Sequence, residues 1–257
     1  MLITGKPHIS FSELATWDEC SWRHKLRYID KVEFLDTEGP ELYFGKHMHA
    51  LCEKYISTKV IDIDSCMQLI RESWTEKKFS DVDGYLLSAV KIADELPTFM
   101  DLTFPGWNAV GVEIELYENI TEHDASFKGF IDCVISVEKK SKKKIYWIID
   151  WKTTSYGWYA AKKRDPRKQL QLILYKQHWA EKRGIDPKDI RCGFVLLKRT
   201  AKPGKRCELV KVSVGLKAAL NGKKKVNNML TSMKRGMFMK NRDSCRYCPY
   251  KNTEHCT

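Results

Sequence analysis

The sequence predicts an α/β protein, and two patterns in its 257 residues support this prediction. Apolar residues recur at helical spacing in the first hundred residues and in two later segments, 167–183 and 216–234. Between these segments, apolar runs and the alternation of apolar with polar residues indicate β-strands. A hydrophobic content of 43% is enough to fill the core of one large domain.

The chain opens with a predicted helix. Ser10 is followed three residues later by Glu13, a capping box that begins a helix, and the apolar spacing continues through Tyr28. Residues 38–40 (Glu-Gly-Pro) then break the helical pattern. We therefore expect residues 8–36 to form an N-terminal helical segment.

A second helix is predicted to begin near Leu42, and a helical pattern continues from residue 60 to residue 104. Pro97 and Pro105 are expected to interrupt this pattern near its end. We interpret residues 51–105 as a helical insertion within a single domain that spans the chain.

The second half of the chain is predicted to supply a sheet. The predicted strands lie at residues 110–116, 126–137, 145–151, 192–197 and 207–214. A short lysine-rich run, 139–144, joins the second strand to the third, so these two should pair in antiparallel orientation. The helix at 167–183, which Gly184 and Pro187 end, follows the third strand, and the helix at 216–234 follows the fifth.

The composition favours a polyanionic partner. The formal net charge is +12 and the pI is about 9.2, which favours nucleic acid over a neutral substrate. Basic residues cluster at 139–144, 162–164, 198–199, 202–206 and 223–225. The sequence has no apolar run of about 18 residues and no apolar signal segment at its N-terminus. We therefore expect a soluble cytoplasmic protein with no membrane partner.

Asp150 and Lys152 are the first candidates for catalysis. They end the apolar strand Ile148-Ile149-Asp150-Trp151-Lys152, and both emerge on one face because side chains alternate across a strand. Asp132 lies in the preceding strand, and the predicted hairpin brings the two carboxylates together. Mg²⁺ and Mn²⁺ prefer such oxygen ligands. A lysine beside the metal is typical of metal-assisted phosphodiester cleavage.

His49 is the third candidate for a metal ligand. It lies in Gly45-x-x-x-His49 on the second predicted helix, and helical geometry directs its neighbour His47 about 200° away. Gln171 and Tyr175 lie one helical turn apart and share a face of the predicted helix at 167–183. We expect them to contact the substrate phosphate or the active-site carboxylates.

The C-terminal tail has the cysteine spacing of a metal centre. Cys245 and Cys248 form a C-x-x-C pair, and Cys256 follows them. A fourth ligand must come from elsewhere in the chain.

Four motifs in order carry a family resemblance. Gly45-x-x-x-His49, Gly129-Phe130-Ile131-Asp132, Asp150-Trp151-Lys152 and Gln171-x-x-x-Tyr175 resemble the RecB-like branch of the PD-(D/E)XK nuclease superfamily. The resemblance implies a restriction-endonuclease-like core, in which helices flank a mixed central sheet, with residues 106–215 as the catalytic core. Residue by residue, it implies that His49, Asp132 and Asp150 bind the metal and that Lys152 assists the attacking water.

Two parts of the active site stay open at this point. Gln171 and Tyr175 match the family motif that follows the active-site strand. Some relatives carry a glutamate in the first strand, to which either Glu113 or Glu115 could correspond.

The cysteines resemble those of the iron–sulfur nucleases within this branch, which include the CRISPR-associated iron–sulfur exonucleases and the AddB-type nuclease domains. The resemblance implies that Cys20 joins Cys245, Cys248 and Cys256 in holding a [4Fe–4S] cluster that staples the N-terminal segment to the tail at 240–257. The seven residues between Cys248 and Cys256 exceed the usual spacing. This leaves zinc as an alternative, with His255 or His24 as a substitute ligand.

The resemblance implies an Mg²⁺- or Mn²⁺-dependent deoxyribonuclease. We expect a 5′→3′ exonuclease that acts on single-stranded or end-bearing DNA, and endonuclease activity on flaps or overhangs stays open. The alternatives are a non-catalytic DNA-binding module with the same fold and a zinc-stabilised RNA-processing protein. DNA repair, recombination, CRISPR adaptation and phage DNA metabolism are all open as pathways, and a compact stand-alone nuclease fits a phage or mobile-element origin.

Overall fold

The computed structural model describes residues 1–33 and 38–256, apart from the side chain of Tyr247. The end of the predicted N-terminal segment (34–36) and residue 257 of the predicted tail lie outside the described residues. The helices are α1 (Phe11–Glu19), α2 (Ser21–His24), α3 (Pro40–Thr58), α4 (Ile63–Lys77), α5 (Val82–Thr103), α6 (Ala160–Lys163), α7 (Pro166–Arg183) and α8 (Leu216–Lys234). A π-helical turn (Lys25–Ile29) and two 3₁₀ turns (Pro187–Asp189 and Arg242–Tyr247) complete the helical structure.

The strands form one six-stranded mixed sheet. They are β1 (His8–Ser10), β2 (Asn108–Ile120), β3 (Ala125–Glu138), β4 (Lys144–Thr154), β5 (Ile190–Lys198) and β6 (Cys207–Val212). The order is β1-β3-β4-β5-β6, with β2 paired to β3. β1 runs parallel to β3 and β4 parallel to β5, whereas the other pairs are antiparallel. The antiparallel hairpin predicted from the lysine-rich run is β3–β4, with Glu138 opposite Lys144.

Helices cover both faces of the sheet. One buried cluster joins the sheet to α1, α7 and α8, and it includes Val134 and Ile148. The other joins the sheet to α3, α4 and α5, and it includes Ile135 and Ile149. Successive residues of β3 and β4 thus enter opposite cores, as strand alternation requires. The predicted fold class, a mixed sheet between helices, is confirmed.

Two helix predictions were wrong in detail. The N-terminal helix does not run unbroken to Tyr28, because Cys20 adopts an extended conformation (φ −160°, ψ 108°) and its Sγ caps α2 by accepting from the Arg23 N–H. Pro97 does not break its helix but lies inside α5. A proline inside a helix costs about 3 kcal/mol. Burial of Leu96 and Met100 on the same helix offsets this at roughly 1.5–3 kcal/mol each.

The predicted helical insertion does not coincide with helix boundaries. Residue 51, its predicted start, lies inside α3, so the helix that contains His49 continues into the insertion. None of the helices in the described residues combines the length and the hydrophobicity that crossing a membrane requires.

Candidate active site

A gap in strand pairing marks the candidate site. β2 pairs with one edge of β3 along almost its full length. The opposite edge of β3 is shared, because β1 pairs with residues 126–128 and β4 with residues 133–138. No described strand pairs with residues 129–132 on that edge, and this gap contains Gly129 and Asp132.

Asp132 lies where the regular geometry of β3 fails. Ile131 and Val134 both enter the core beneath α7, although residues three apart should point to opposite faces of a regular strand. In this irregular segment the Asp132 carboxylate replaces the missing strand partner. Its Oδ2 accepts a hydrogen bond from the Trp151 N–H at 2.8 Å. The same oxygen lies 3.4 Å from Nδ1 of His49.

Asp150 and Lys152 emerge together from β4, as alternation predicts. Lys152 Nζ lies 2.6 Å from Asp150 Oδ2, a charge-assisted contact that helps to raise the pKa of Lys152. Asp150 is 1% exposed, and within the described residues its Oδ1 has no hydrogen-bond partner. A buried carboxylate with unused lone pairs fits a hard divalent cation, which prefers oxygen ligands.

Burial and mutual charge set the protonation of these groups. Burial and the neighbouring Asp150 carboxylate hold the pKa of Asp132 well above its ordinary value. Burial lowers the pKa of His49 and outweighs the opposite influence of Asp150, so the imidazole is neutral, the form that binds metals. Burial would lower the pKa of Lys152, but Asp150 and Asp132 raise it above its ordinary value, so the amine stays charged.

The four side chains converge, but they do not form a finished metal site. Among the described residues, no group of three or more histidine, cysteine, aspartate or glutamate side chains is arranged to hold one ion. The Lys152 ammonium is the positive charge that balances Asp150. His49, Asp132 and Asp150 as metal ligands therefore stay a prediction, which the unpartnered Oδ1 of Asp150 supports.

The motif glycines have steric roles that the sequence does not reveal. A Cβ on Gly45 would lie 3.1 Å from Oγ1 of Thr153, so a glycine lets α3 approach β4 beside Lys152 and brings His49 to the site. A Cβ on Gly129 would lie 2.8 Å from the Tyr175 ring, closer than real Cβ contacts. The glycine of the Gly129–Asp132 motif thus makes room for the tyrosine of the Gln171–Tyr175 motif.

Gln171 and Tyr175 lie on the face of α7 that points to the gap. Gln171 Nε2 donates to the Tyr175 hydroxyl at 3.3 Å, as their one-turn spacing predicts. Burial raises the pKa of Tyr175 to about 12, so the phenol keeps its proton and can donate it in a hydrogen bond. The two residues differ in access, because Tyr175 is buried whereas Gln171 lines an open groove.

The structure separates the two glutamates of β2 that the sequence left open. Glu115 forms an ion pair with Lys128 at 3.2 Å. Glu113 lies close enough to Asp132 for its charge to raise the pKa of that residue, and it interacts with Glu53 of α3. Burial and Glu113 raise the pKa of Glu53 to about 7. Glu53 was missed at the sequence level, although its position one turn after His49 was a usable signal.

An open groove of about 470 Å³ leads to Lys152. The basic residues Lys152, Lys162, Arg167 and Lys168 line it, together with Gln171 and Trp158. Its two acidic residues are engaged elsewhere: Glu19 pairs with Arg23 at 3.0 Å, and Asp165 caps α7. Two of the four cations are also paired, Lys152 with Asp150 and Arg167 with Asp18 at 3.7 Å, so the positive charge offered to an entering anion comes mainly from Lys162 and Lys168.

The comparison with protein families decides the assignment. The sequence pattern of the PD-(D/E)XK nuclease superfamily matches residues 8–253. The chain belongs to this superfamily. The match extends from β1 into the tail, so it includes Cys20, Cys245 and Cys248 and ends before Cys256.

A solved structure shares the fold of this superfamily member. A protein from Eubacterium rectale, described as a "putative exonuclease", superposes with a TM-score of 0.61 and 11% identity, over 96% of this chain and 89% of that chain. A second structure, of the protein SSO0001, matches with a TM-score of 0.42 and 13% identity, over 95% of this chain and 84% of that chain. No curated protein matches the sequence significantly.

The predicted cysteine cluster lies at the junction of the two chain ends of the nuclease. Cys20, Cys245, Cys248 and Cys256 all line one cavity of about 250 Å³. Backbone N–H groups of Arg23 and Asn241 both point at the Cys20 sulfur, at 3.4 Å. The four thiols share this cavity, and the sulfurs of iron–sulfur clusters typically accept such N–H donors, but in the described residues no three of the thiols are arranged to hold one ion.

The histidines considered as zinc ligands lie elsewhere. His24 is buried and bonded to Glu13 at 3.1 Å, and His255 is paired with Glu254 at 3.4 Å. Neither is among the described residues that line the cysteine cavity. The chain ends are also joined without any metal, since Trp22 Nε1 donates to the His255 carbonyl at 3.0 Å.

Proposed function

We propose that this superfamily member is a metal-dependent deoxyribonuclease whose active site is His49, Asp132, Asp150 and Lys152. The observation that carries the proposal is the buried Asp150 carboxylate, whose Oδ2 contacts the charged Lys152 and whose Oδ1 has no hydrogen-bond partner in the described residues. The groove of four basic residues supports a phosphodiester substrate, because it leads to this lysine.

The chemistry divides among these residues. His49, Asp132 and Asp150 would hold Mg²⁺ or Mn²⁺, which supplies Lewis-acid activation of the phosphate and of water. Asp150 holds the Lys152 ammonium at the inner end of the groove. The raised pKa of Lys152 keeps its amine positively charged there. From there Lys152 stabilises the negative charge that develops on the phosphate, or orients the attacking water. The neutral His49 and the Asp132 carboxylate fix the position of the cation.

We propose single-stranded or end-bearing DNA as the substrate and 5′→3′ exonuclease activity as the reaction. The net charge of +12 supports a nucleic acid, since neutralised phosphates dominate such binding. The Eubacterium rectale protein, which has the same fold, is described as a "putative exonuclease", and this supports exonuclease chemistry. The direction rests on the resemblance to the iron–sulfur branch.

The test is digestion of DNA labelled at either end, with Mg²⁺, Mn²⁺ or EDTA. Wild-type protein should release nucleotides from the 5′ end of a single strand with either metal and none with EDTA. Asp150→Asn should reduce the rate by at least a thousandfold and retain the wild-type melting temperature within a few degrees. Asp124→Asn, in the exposed turn before β3, removes the same charge and should leave the rate unchanged.

Two results would contradict the proposal. Undiminished cleavage by Asp150→Asn would sink the site assignment. Tight DNA binding without cleavage under any metal condition would favour a non-catalytic binding module instead.

We further propose that Cys20, Cys245, Cys248 and Cys256 hold a [4Fe–4S] cluster. The four thiols around one cavity support it, and the same chemistry favours a reducing, cytoplasmic location. Protein purified without oxygen should be brown and contain about four irons per chain by this assignment. A colourless protein with one zinc per chain would contradict the [4Fe–4S] assignment and support a zinc site instead.

A further inference from the structure

The loop that follows the catalytic strand exposes two aromatic rings. We call residues 155–159 (Ser-Tyr-Gly-Trp-Tyr) the tyrosine loop. Tyr156 is 84% exposed and Tyr159 is 71% exposed. Neither ring packs against another aromatic ring within the described residues. The two tyrosines flank Trp158, which lines the groove that leads to Lys152.

The tyrosine loop is held in place despite these exposed rings. Trp158 is buried, with its ring centroid 5.1 Å from that of Phe194. The Ser155 hydroxyl accepts from Arg199 Nη2 at 2.8 Å, and the Ser155 carbonyl accepts from the Thr200 hydroxyl at 2.7 Å. Anchors on both sides of Tyr156 fix the loop backbone, so the loop is a platform for the two rings whose backbone is in place before a ligand arrives.

A pair of uncompensated cations lies next to this platform. Lys162 and Lys168 approach the Trp158 ring, with Nζ 5.3 and 5.9 Å from its centroid, and both line the groove to Lys152. In the described residues neither has a carboxylate partner. Their neighbour Lys163 differs, because it pairs with Glu208. Burial lowers the pKa of Lys162, and the nearby charge of Lys168 lowers it further. A phosphate would relieve this repulsion.

We infer that the tyrosine loop and the lysine pair, Lys162 and Lys168, form the entry track for a single strand of DNA. Bases stack on Tyr156 and Tyr159, while the backbone phosphates follow the lysine pair toward Lys152. Duplex DNA cannot use the rings, since its bases are already stacked on one another. The track therefore selects unpaired strands. This inference rests on the proposed nuclease function, because that function gives the strand its destination.

Binding measurements in the Asp150→Asn background test the track without cleavage. Fluorescence anisotropy gives Kd values for three labelled ligands of equal length: a single strand, a duplex and a strand of abasic sites. Tyr156→Ala/Tyr159→Ala should weaken binding of the single strand by about 5-fold to 150-fold per stacked base, and leave the duplex and the abasic strand unchanged. Tyr156→Phe/Tyr159→Phe keeps the ring faces and should bind like the parent.

The lysine pair should show a different signature. Lys162→Ala/Lys168→Ala should weaken binding of the single strand and the abasic strand alike, and reduce the slope of log K against log salt by about 1.4, or roughly 0.7 for each lost phosphate contact. Lys139→Ala/Lys140→Ala removes the same charge from the β3–β4 hairpin, about 20 Å along β4 from Asp150 by strand geometry. This control should change the slope by less than half as much.

The controls also separate this inference from the proposed function. Tyr117, 44% exposed on β2, is the matched exposed tyrosine, and Tyr117→Ala should have no effect. Unchanged single-strand binding by Tyr156→Ala/Tyr159→Ala, or an equal loss with the abasic strand, would overturn the track. If the binding results hold while the wild-type protein cleaves nothing with Mg²⁺ or Mn²⁺, the track stands and the nuclease proposal fails.

Discussion

Replacing Gly129 by alanine should destabilise the protein and weaken catalysis together, because the new methyl group meets the Tyr175 ring. An added Cβ would lie 2.8 Å from Cε1 of Tyr175 and 3.2 Å from Cε1 of Phe127. Both rings are buried, so neither can swing into solvent. The backbone at Gly129 does not have a positive φ, so the effect is one of contact alone.

The size of the effect follows from the contact. Carbon atoms are most stable at about 3.5–4.0 Å, so the Tyr175 ring must move by about an ångström. Overpacking of this kind typically costs 1–3 kcal/mol. Alanine also makes the unfolded chain less flexible than glycine does, which stabilises the folded state by about 0.4–1 kcal/mol. We expect a net loss of about 1–2 kcal/mol, or roughly 2–8 °C in Tm for a chain of this size.

Urea unfolding and thermal melts measure the stability of Gly129→Ala. Gly215→Ala is the matched control, because its added Cβ would meet nothing within 4 Å. That control should stay within about 0.5 kcal/mol of the wild type. Cleavage should fall between tenfold and a hundredfold in Gly129→Ala, because a shift of about 1 Å near a reacting group has this effect.

A double-mutant cycle assigns the cause to Tyr175. Tyr175→Leu shortens the side chain, so Gly129→Ala should cost almost nothing in that background. An equal cost of Gly129→Ala with tyrosine and with leucine at position 175 would refute the steric explanation. Wild-type stability of the single variant would refute it as well.

Three further predictions address other parts of the molecule. Gly45→Ala should change the unfolding free energy by no more than about 1 kcal/mol, because better helix propensity offsets the contact of the new Cβ with Thr153. The same substitution should slow cleavage, and adding Thr153→Ala should restore the cleavage rate. A double variant as slow as Gly45→Ala would contradict the steric role of Gly45. Burial and Glu113 raise the pKa of Glu53 from 4.5 to about 7 on folding, so the free energy of unfolding, measured in urea, should fall as the pH rises from 4.5 to 7. Glu53→Gln should make this pH dependence shallower. An equal pH dependence in the variant would show that Glu53 is not its cause. Cys248→Ser should lower Tm and the iron content together, and full stability with unchanged iron would argue against its role as a ligand.

Regular periodicity explains what the sequence predicts well. The helix at 216–234 was predicted at both of its ends. The shared face of Asp150 and Lys152 follows from alternation, and the hairpin of β3 with β4 follows from the short lysine-rich run that joins them. These features depend on neighbours in sequence, so a single chain reveals them.

The features that the sequence did not predict depend on distant segments. β1 has only three residues, too few for a detectable pattern, yet it bounds the gap beside Asp132. The contact between Gly129 and Tyr175 joins a strand to a helix about 45 residues later. Glu53 and Glu113 come together only when α3 packs on the sheet. Spacing along the chain can identify the individual residues, but it cannot show which residues from distant segments come into contact.

The two aspartates of the site are consequently not equivalent. Asp132 satisfies the Trp151 N–H, which the gap between β1 and β4 would otherwise leave without a strand partner. A buried N–H left unpaired costs about 1–3 kcal/mol, so the fold itself requires an acceptor at position 132. Asp150 accepts no backbone hydrogen bond in the described residues; its Oδ2 contacts the Lys152 ammonium and its Oδ1 has no partner. A cation that enters this site can therefore meet Oδ1 of Asp150 without breaking a backbone hydrogen bond of the fold.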